Sequence, residues 1–403
     1  MMHSAINRLK KEIMQTALKL MTAVSIVVLS GCSALPSLPS LSSLNPFSKA
    51  APRNPPAALV EFKPALTVRS AWTASLGKAG SFVFSPVAAD GSVFAAAGDG
   101  TVTRIDAASG RALWRINAGV PLSAGVGTDG KTVAVATNKG VVFAFDGDGK
   151  LRWKAQTSSE VLSAPAVSAD LVIVRSIDNR ITAFDSATGT RRWFLDRTTP
   201  ALTLRSAPGI VTTAGIAYAA LPGGRLLAMT TNNGAPLWEV AVGDPRGATE
   251  LERVTDTSGS PLLLGRDICA VAYQGRLGCF DVASGTTRWS KAWSSDVGIG
   301  ADERMVYAGN DAGSVAAFTR ESGTSVWRND KLAHRRLSAP ASLNRAVAVG
   351  DAQGYVHFLS HDDGAFMART ATDGSAISAA PVVVADRLII QTQAGQLVAL
   401  AVE

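Results

Sequence analysis

One short pattern recurs along most of this 403-residue chain and restricts its fold more than any other feature: an Asp, a Gly four positions later and a Trp eight positions later. Full copies stand at Asp106-Gly110-Trp114, Asp185-Gly189-Trp193 and Asp281-Gly285-Trp289. Asp146-Gly149-Trp153 is one residue shorter, and Thr230-Gly234-Trp238 and Thr319-Gly323-Trp327 carry Thr in place of Asp. Ser360-Gly364 ends in Ala368 where a Trp belongs, while Trp72 has no repeat before it. From Trp72 onward the intervals are 42, 39, 40, 45, 51 and 38 residues, then 41 to Ala368. A period near 40 with four short strands per unit signals an all-β propeller.

Each unit reads alike. A small residue and Pro open the innermost strand, as at Ser85-Pro86, Ala164-Pro165, Ala207-Pro208, Ser260-Pro261, Ala339-Pro340 and Ala380-Pro381. Pro is tolerated at a strand's first residue, and small side chains suit the crowded central channel. Apolar runs such as LVIVRS (171–176) and a strand ending in Asp follow, then the strand that carries Trp. The last run, Gln396–Leu400, lacks an outer strand after it, and Ser70-Ala71-Trp72 supplies one. The expected fold is therefore an eight-bladed β-propeller whose N-terminal strand closes the last blade, leaving no open ring edge. Asp and Thr cap turns by bonding nearby backbone, Gly takes positive φ, and Trp buries a large apolar area. A hydroxyl can replace a carboxylate as a cap, so the pattern is a structural staple rather than a charge-dependent catalytic site.

The first residues form a separate object. Arg8, Lys10, Lys11 and Lys19 precede the apolar stretch MTAVSIVVL (21–29), too short to span a bilayer comfortably. Leu29-Ser30-Gly31-Cys32 resembles the lipobox of bacterial lipoproteins, which implies cleavage before Cys32 and lipidation of it. By the same resemblance, Ser33 after the Cys favours the outer membrane over the inner one. Residues 33–59, SALPSLPSLSSLNPFSKAAPRNPPAAL, show no strand or helix period and read as a semi-extended tether. The expected organisation is a signal peptide over 1–31, a lipidated Cys and tether over 32–66, and a propeller over 67–403. Hydrophobic residues make up 47% of the chain and charged ones 18%, which excludes general disorder. Without residues 1–31, Lys and Arg number 35 against 31 acids, and no basic stripe interleaved with aromatics argues for nucleic acid.

Few side chains offer chemistry. Cys269 and Cys279 flank the hairpin turn Gln274-Gly275, and an oxidising compartment favours a disulfide between them over two buried thiols. A two-residue turn would pair Cys269 with Phe280, so a bridge needs a bulge or a three-residue turn. His357 and His361 lie on a strand and the turn after it, where they do not face each other, so exposed histidines and no metal are expected. The run His334-Arg335-Arg336 reads as a solvated loop.

The A-x-D-x-x-T-G-x-x-x-W pattern resembles the quinoprotein (PQQ-type) propeller repeat over most of the chain. That resemblance implies an indole packed between neighbouring blades at Trp72, Trp114, Trp153, Trp193, Trp238, Trp289 and Trp327. Quinoprotein dehydrogenases also carry an adjacent-cysteine disulfide and a calcium-binding carboxylate cluster. This chain has no Cys-Cys pair and no dense acidic cluster. A PQQ-dependent dehydrogenase and a propeller binding a small ligand in its channel stand as the alternatives to a non-catalytic protein without cofactor.

Two connections between blades depart from the rest. Trp to the next strand-opening Pro spans 12 to 14 residues in three units, 15 from Trp193 to Pro208 and 23 from Trp238 to Pro261. The first long loop holds Leu202, Leu204 and Arg205, and the second is dense in charge. Both emerge on one face of adjacent blades, and an apolar pair beside a charged insertion suits protein binding. PALTLRSAP (200–208), ATELERVTD (248–256), VAYQGRLGCFDVASG (271–285) and HRRLSAPASLNRAVAVGDAQGYVHFL (334–359) are similar to the BamB family of outer-membrane β-barrel assembly lipoproteins. That resemblance implies a scaffold lipoprotein that binds the periplasmic domains of BamA and, through it, the other lipoproteins of the machine. It maps the contact onto Leu202, Leu204, Arg205 and Asp256, with Glu252 or Glu250 offsetting Ser258 where the family carries a second Asp; Arg253 lies in the same loop. Sheet edges beside that face offer main-chain hydrogen bonds to strands of nascent outer-membrane proteins.

Overall fold

The computed structural model describes residues 54–168, 170–206 and 208–403; the signal peptide, Cys32 and the tether up to residue 53 lie outside them. Thirty-two strands form eight four-stranded antiparallel sheets. Blades 1 to 7 run in chain order over 87–117, 124–156, 166–195, 210–241, 257–292, 299–329 and 341–371. Blade 8 takes three strands from 382–402 and its outer strand, Val68–Ser75, from the other end of the chain. Val68 faces Val402 and Ser75 faces Gln396 across that seam.

The second and third strands of each blade are buried on both faces. Leu171–Arg175 is buried at every position, which explains why it reads as a continuous apolar run without alternation. The core is accordingly divided into eight clusters, each between two neighbouring blades.

Seven of these joints carry the same staple. Each Trp donates its indole N–H to a carbonyl of the next blade at 2.7–3.2 Å: Trp72 to Ala107, Trp114 to Gly147, Trp153 to Ser186, Trp193 to Thr231, Trp238 to Val282, Trp289 to Arg320 and Trp327 to His361. The acceptor follows the Asp, Thr or Ser that opens the next repeat. The repeat glycine lies under the ring: a Cβ on any of the seven would stand no more than 3.0 Å from the indole, and each glycine has positive φ. Turn caps complete the unit. Asp185 Oδ1 accepts from Ala187 N and Thr188 N at 3.0 and 2.9 Å, which holds its pKa down at about 2 together with the bond from Arg192. At the Thr copies the hydroxyl substitutes, as where Thr230 Oγ1 accepts from Ala235 N at 3.2 Å.

The eighth joint, between blades 7 and 8, has Ala368 in place of Trp. Leu66 is buried in the cluster that contains Ala368, and Ala65 N and Leu66 N both donate to Met367 O. Residues 57–66, read from sequence as the end of a free tether, therefore form a strap on blade 7. Phe62 stacks on Phe366 at 5.4 Å. Arg335 donates to Ala57 O and Arg369 to Val60 O, both at 2.8 Å.

That strap corrects two expectations. Arg335 is buried, not solvated, because Asp351 accepts its Nε at 2.7 Å and Ala57 takes Nη1. His357 is fully buried, with Nε2 2.8 Å from Asp351 Oδ2, while Arg369 Nε donates to its Nδ1 at 3.3 Å. Arg is a donor only, so Nδ1 is the bare nitrogen and Nε2 carries the proton. His361 is half-buried, its ring stacked on Tyr307 at 5.4 Å.

Cys269 and Cys279 face each other and are disulfide-bonded, with Cα atoms 4.0 Å apart. The strands end at Ala272 and resume at Arg276, so a three-residue turn, Tyr273-Gln274-Gly275, sets this register.

Two outcomes are expected. Gly189→Ala should cost roughly 2–4 kcal/mol of unfolding free energy in denaturant titration, from strain at φ 74° and collision with Trp153. Burial lowers the His357 pKa, reinforced by Arg369 and Arg335 and opposed by Asp351. The unfolded chain then binds the proton more readily, so stability present above pH ~6.5 declines as pH falls towards the folded pKa. Urea midpoints between pH 7 and 5 should fall more steeply for the native chain than for His357→Gln.

Candidate partner-binding face

Strand polarity places the connections between blades on the same face as the turns joining second and third strands, opposite the Asp-Gly turns of the staples. The two long connections, 196–209 between blades 3 and 4 and 242–256 between blades 4 and 5, meet on that face. Asp256 joins them: its Oδ2 accepts from Leu204 N at 2.5 Å and its Oδ1 from Gly223 N, in a turn of blade 4, at 2.9 Å. Deeper in, Gly209 N donates to Gly259 O at 3.1 Å.

The residues singled out from sequence separate into two roles. Leu202 is 47% exposed, and the Arg205 side chain stands in solvent with Nη2 2.8 Å from Glu160 Oε1. Leu204 is half-buried and lines the mouth of the central cavity with Arg205. Asp256 differs from expectation: at 2% exposure it cannot meet a partner directly. Two backbone N–H groups converge on its carboxylate and hold it inside, although burial raises its pKa against their effect. Glu252 caps its own loop, accepting from Ala248 N and Thr249 N at 2.8 and 3.0 Å, while Thr249 Oγ1 accepts from Glu252 N at 3.3 Å. This reciprocal Thr-x-x-Glu arrangement fixes a turn. Bonds to Thr249 and Ala248 lower the Glu252 pKa. Arg253 donates Nε to Gly247 O at 3.0 Å and faces Glu250 at 3.5 Å. The turn so built presents Leu251, which is 72% exposed.

Several residues of this face carried no signal in the sequence. Ile177, partly exposed, stands in the blade 3 turn beside the Leu204 loop, and its N–H donates to Glu160 O at 2.8 Å. Glu160 belongs to the connection between blades 2 and 3, and Arg175 to the second strand of blade 3. The packing of neighbouring blades brings these positions together. A simple length-and-apolarity reading of the loop at 248–256 would have found Leu251.

The central cavity measures about 1130 Å³ and is lined largely by small residues and hydroxyls, including Ser85, Ser123, Ser260 and Ser342, with Asp296, Asp311 and Arg336 among its charged groups. Among the described residues, no group of three or more His, Cys, Asp or Glu side chains is placed to hold a metal ion.

Comparison with known proteins supplies the family. The sequence profile described as outer membrane protein assembly factor BamB matches residues 65–120, 98–329 and 311–403. An outer membrane protein assembly factor BamB from Bordetella pertussis is 46% identical over 374 residues, covering 93% of this chain and 94% of that one. The crystal structure of BamB from Moraxella catarrhalis superposes with a TM-score of 0.76 at 27% identity, over 83% of this chain and 100% of that one. A quinohemoprotein alcohol dehydrogenase from Comamonas testosteroni shares the fold alone, with a TM-score of 0.64 at 14% identity over 83% and 76% of the two chains. With most of its length matched by that profile and by a relative of nearly half identical residues, the chain belongs to the BamB family of outer membrane protein assembly factors.

Proposed function

We propose that this protein is a non-catalytic scaffold in outer-membrane protein assembly, held to the outer membrane on its periplasmic side by lipid on Cys32, and that it binds the periplasmic domains of BamA through the face just described. One observation carries the reading: two long loops from neighbouring blades are tied by Asp256 into one surface that exposes Leu202, Leu251 and Arg205. Burial of exposed apolar side chains drives association, and Arg, which is enriched at interfaces, fixes orientation through its guanidinium. Arg205 is already oriented by Glu160, so less side-chain freedom is lost on binding. Through BamA the scaffold reaches the other lipoproteins of the machine.

Asp256 enters as a positioning residue. Its carboxylate satisfies Leu204 N and thereby sets where Leu204 and Arg205 stand. Glu252 and Arg253 do the same for Leu251, spending their hydrogen bonds within their own loop.

Two experiments test this. Leu204→Ala combined with Arg205→Ala should abolish co-purification of BamA while the melting temperature stays within a few degrees; unchanged recovery of BamA rejects the interface. Asp256→Ala removes the acceptor of two backbone donors and should cost about 1–3 kcal/mol of stability. It should also weaken BamA binding at least tenfold in titration calorimetry, although the residue is buried; full affinity would show that the clasp does not position the loop.

A further inference from the structure

The strap over blade 7 is held by a charge cluster far from the candidate face, and one titratable ring sits at its centre. Arg369 Nη2 donates to Val60 O at 2.8 Å, and its guanidinium lies over the rings of Phe62 and Phe366 at 5.1 and 5.6 Å. Its Nε donates to His357 Nδ1, the bare nitrogen, at 3.3 Å. His357 is fully buried, and its other nitrogen is taken by Asp351. The middle of the strap thus depends on a lone pair of a buried imidazole.

We propose that the strap is an acid-sensitive latch: a proton taken up at His357 Nδ1 expels Arg369 and frees residues 57–63 from blade 7.

The charges around the ring decide which contact yields. Asp351 faces the imidazole from a turn of blade 7, Arg335 adjoins from the preceding connection and Arg369 from the outer strand. The rings of Tyr355 and Phe366 complete the surroundings, and Glu61 of the strap acts on Arg369. With His357 neutral, the two carboxylates balance the two guanidinium groups. Protonation turns the acceptor into a donor, sets N–H against N–H and adds a third cation. Asp351 has no second oxygen to offer, since its Oδ1 already accepts from Gln353 N and Tyr355 N, each at 2.9 Å. Arg335 is buried, whereas Arg369 is half-buried and can turn to solvent. Its departure breaks the bond to Val60 O and uncovers the Phe62 ring. Ala57 then keeps only single bonds, one to Ala333 O and one from Arg335. Ala65 and Leu66 stay in place, because both donate to Met367 O and Leu66 is buried. Burial disfavours the charged imidazole, so the latch is closed at neutral pH and opens below the ordinary histidine range. Residues 57–63 span roughly 23–25 Å when extended. On the reading that Cys32 carries lipid, release adds that reach between membrane and ring.

The experiment follows the native chain by nitrogen–proton NMR from about pH 7.5 to about pH 4.5, reading backbone order and the His357 ring nitrogens. Order parameters of residues 58–62 should fall from about 0.85 to below about 0.6, with the midpoint of the His357 titration. Leu66 and Thr67 should remain rigid throughout. His357→Gln keeps an acceptor for Arg369 but does not titrate, so its strap should stay ordered across the range. Arg369→Met should loosen the strap at both ends of the range. A strap still ordered at the acid end overturns the proposal, whether or not the ring has taken a proton. Loosening shared by His357→Gln, or accompanied by Leu66, overturns it too. Should His357→Gln fail to fold, agreement or disagreement of the two midpoints in the native chain decides. The strap is read directly, so the outcome is independent of whether Cys32 carries lipid.

Discussion

The fold depends on one contact, an indole lying over the glycine of the next blade. Each Trp of this kind buries on the order of 150–250 Å², an upper bound of about 4–6 kcal/mol at ordinary transfer values. Its N–H···O=C bond contributes nearer 1 kcal/mol, so area holds the joint and the hydrogen bond orients it. Glycine is required twice over at this point, by its positive φ and by the ring above it. The Asp or Thr cap keeps that turn in shape, which is why either residue serves. Since each blade is buried only against its two neighbours, the staple must recur around the ring.

The ring is therefore most informative where the staple is missing. Ala368 leaves the joint between blades 7 and 8 without an indole, and Leu66 of the strap enters the same apolar cluster. The strap's extended backbone is held by Arg335 and Arg369, which in turn are organised by Asp351 and His357. A buried ion pair of this kind is weak evidence for net stability, but removing one member leaves the other charge unpaired at about 3–5 kcal/mol. Its evident consequence is specificity: two guanidinium groups reach main-chain carbonyls, fixing where the strap lies.

The proposed partner-binding face uses the opposite ends of the strands from the staples. There the repeat imposes nothing on length or composition, and insertions are tolerated without disturbing the joints. One carboxylate makes two separate loops into a single surface. Asp256 does this from inside, at the expense of desolvation, and its burial separates it in role from Leu202, Leu251 and Arg205, which remain available to a partner.

Spacing alone determined the architecture. The interval near 40, the strand-opening Pro and the unpaired ends of the chain are local or periodic features, so they survive in a string of letters. The two long loops were legible for the same reason, as departures from a period. What the sequence could not decide is which charged groups face solvent. Asp256, Arg335 and His357 read as surface residues because exposure is the rule for their types, and only packing supplied the partners that permit burial. The end of the tether read as free because it has no period, yet a strap bonded by other blades' side chains needs none. Glu160 and Ile177 joined the face only through the packing of neighbouring blades, because contacts between the turns of different blades are set by how the sheets pack and leave no mark in local sequence.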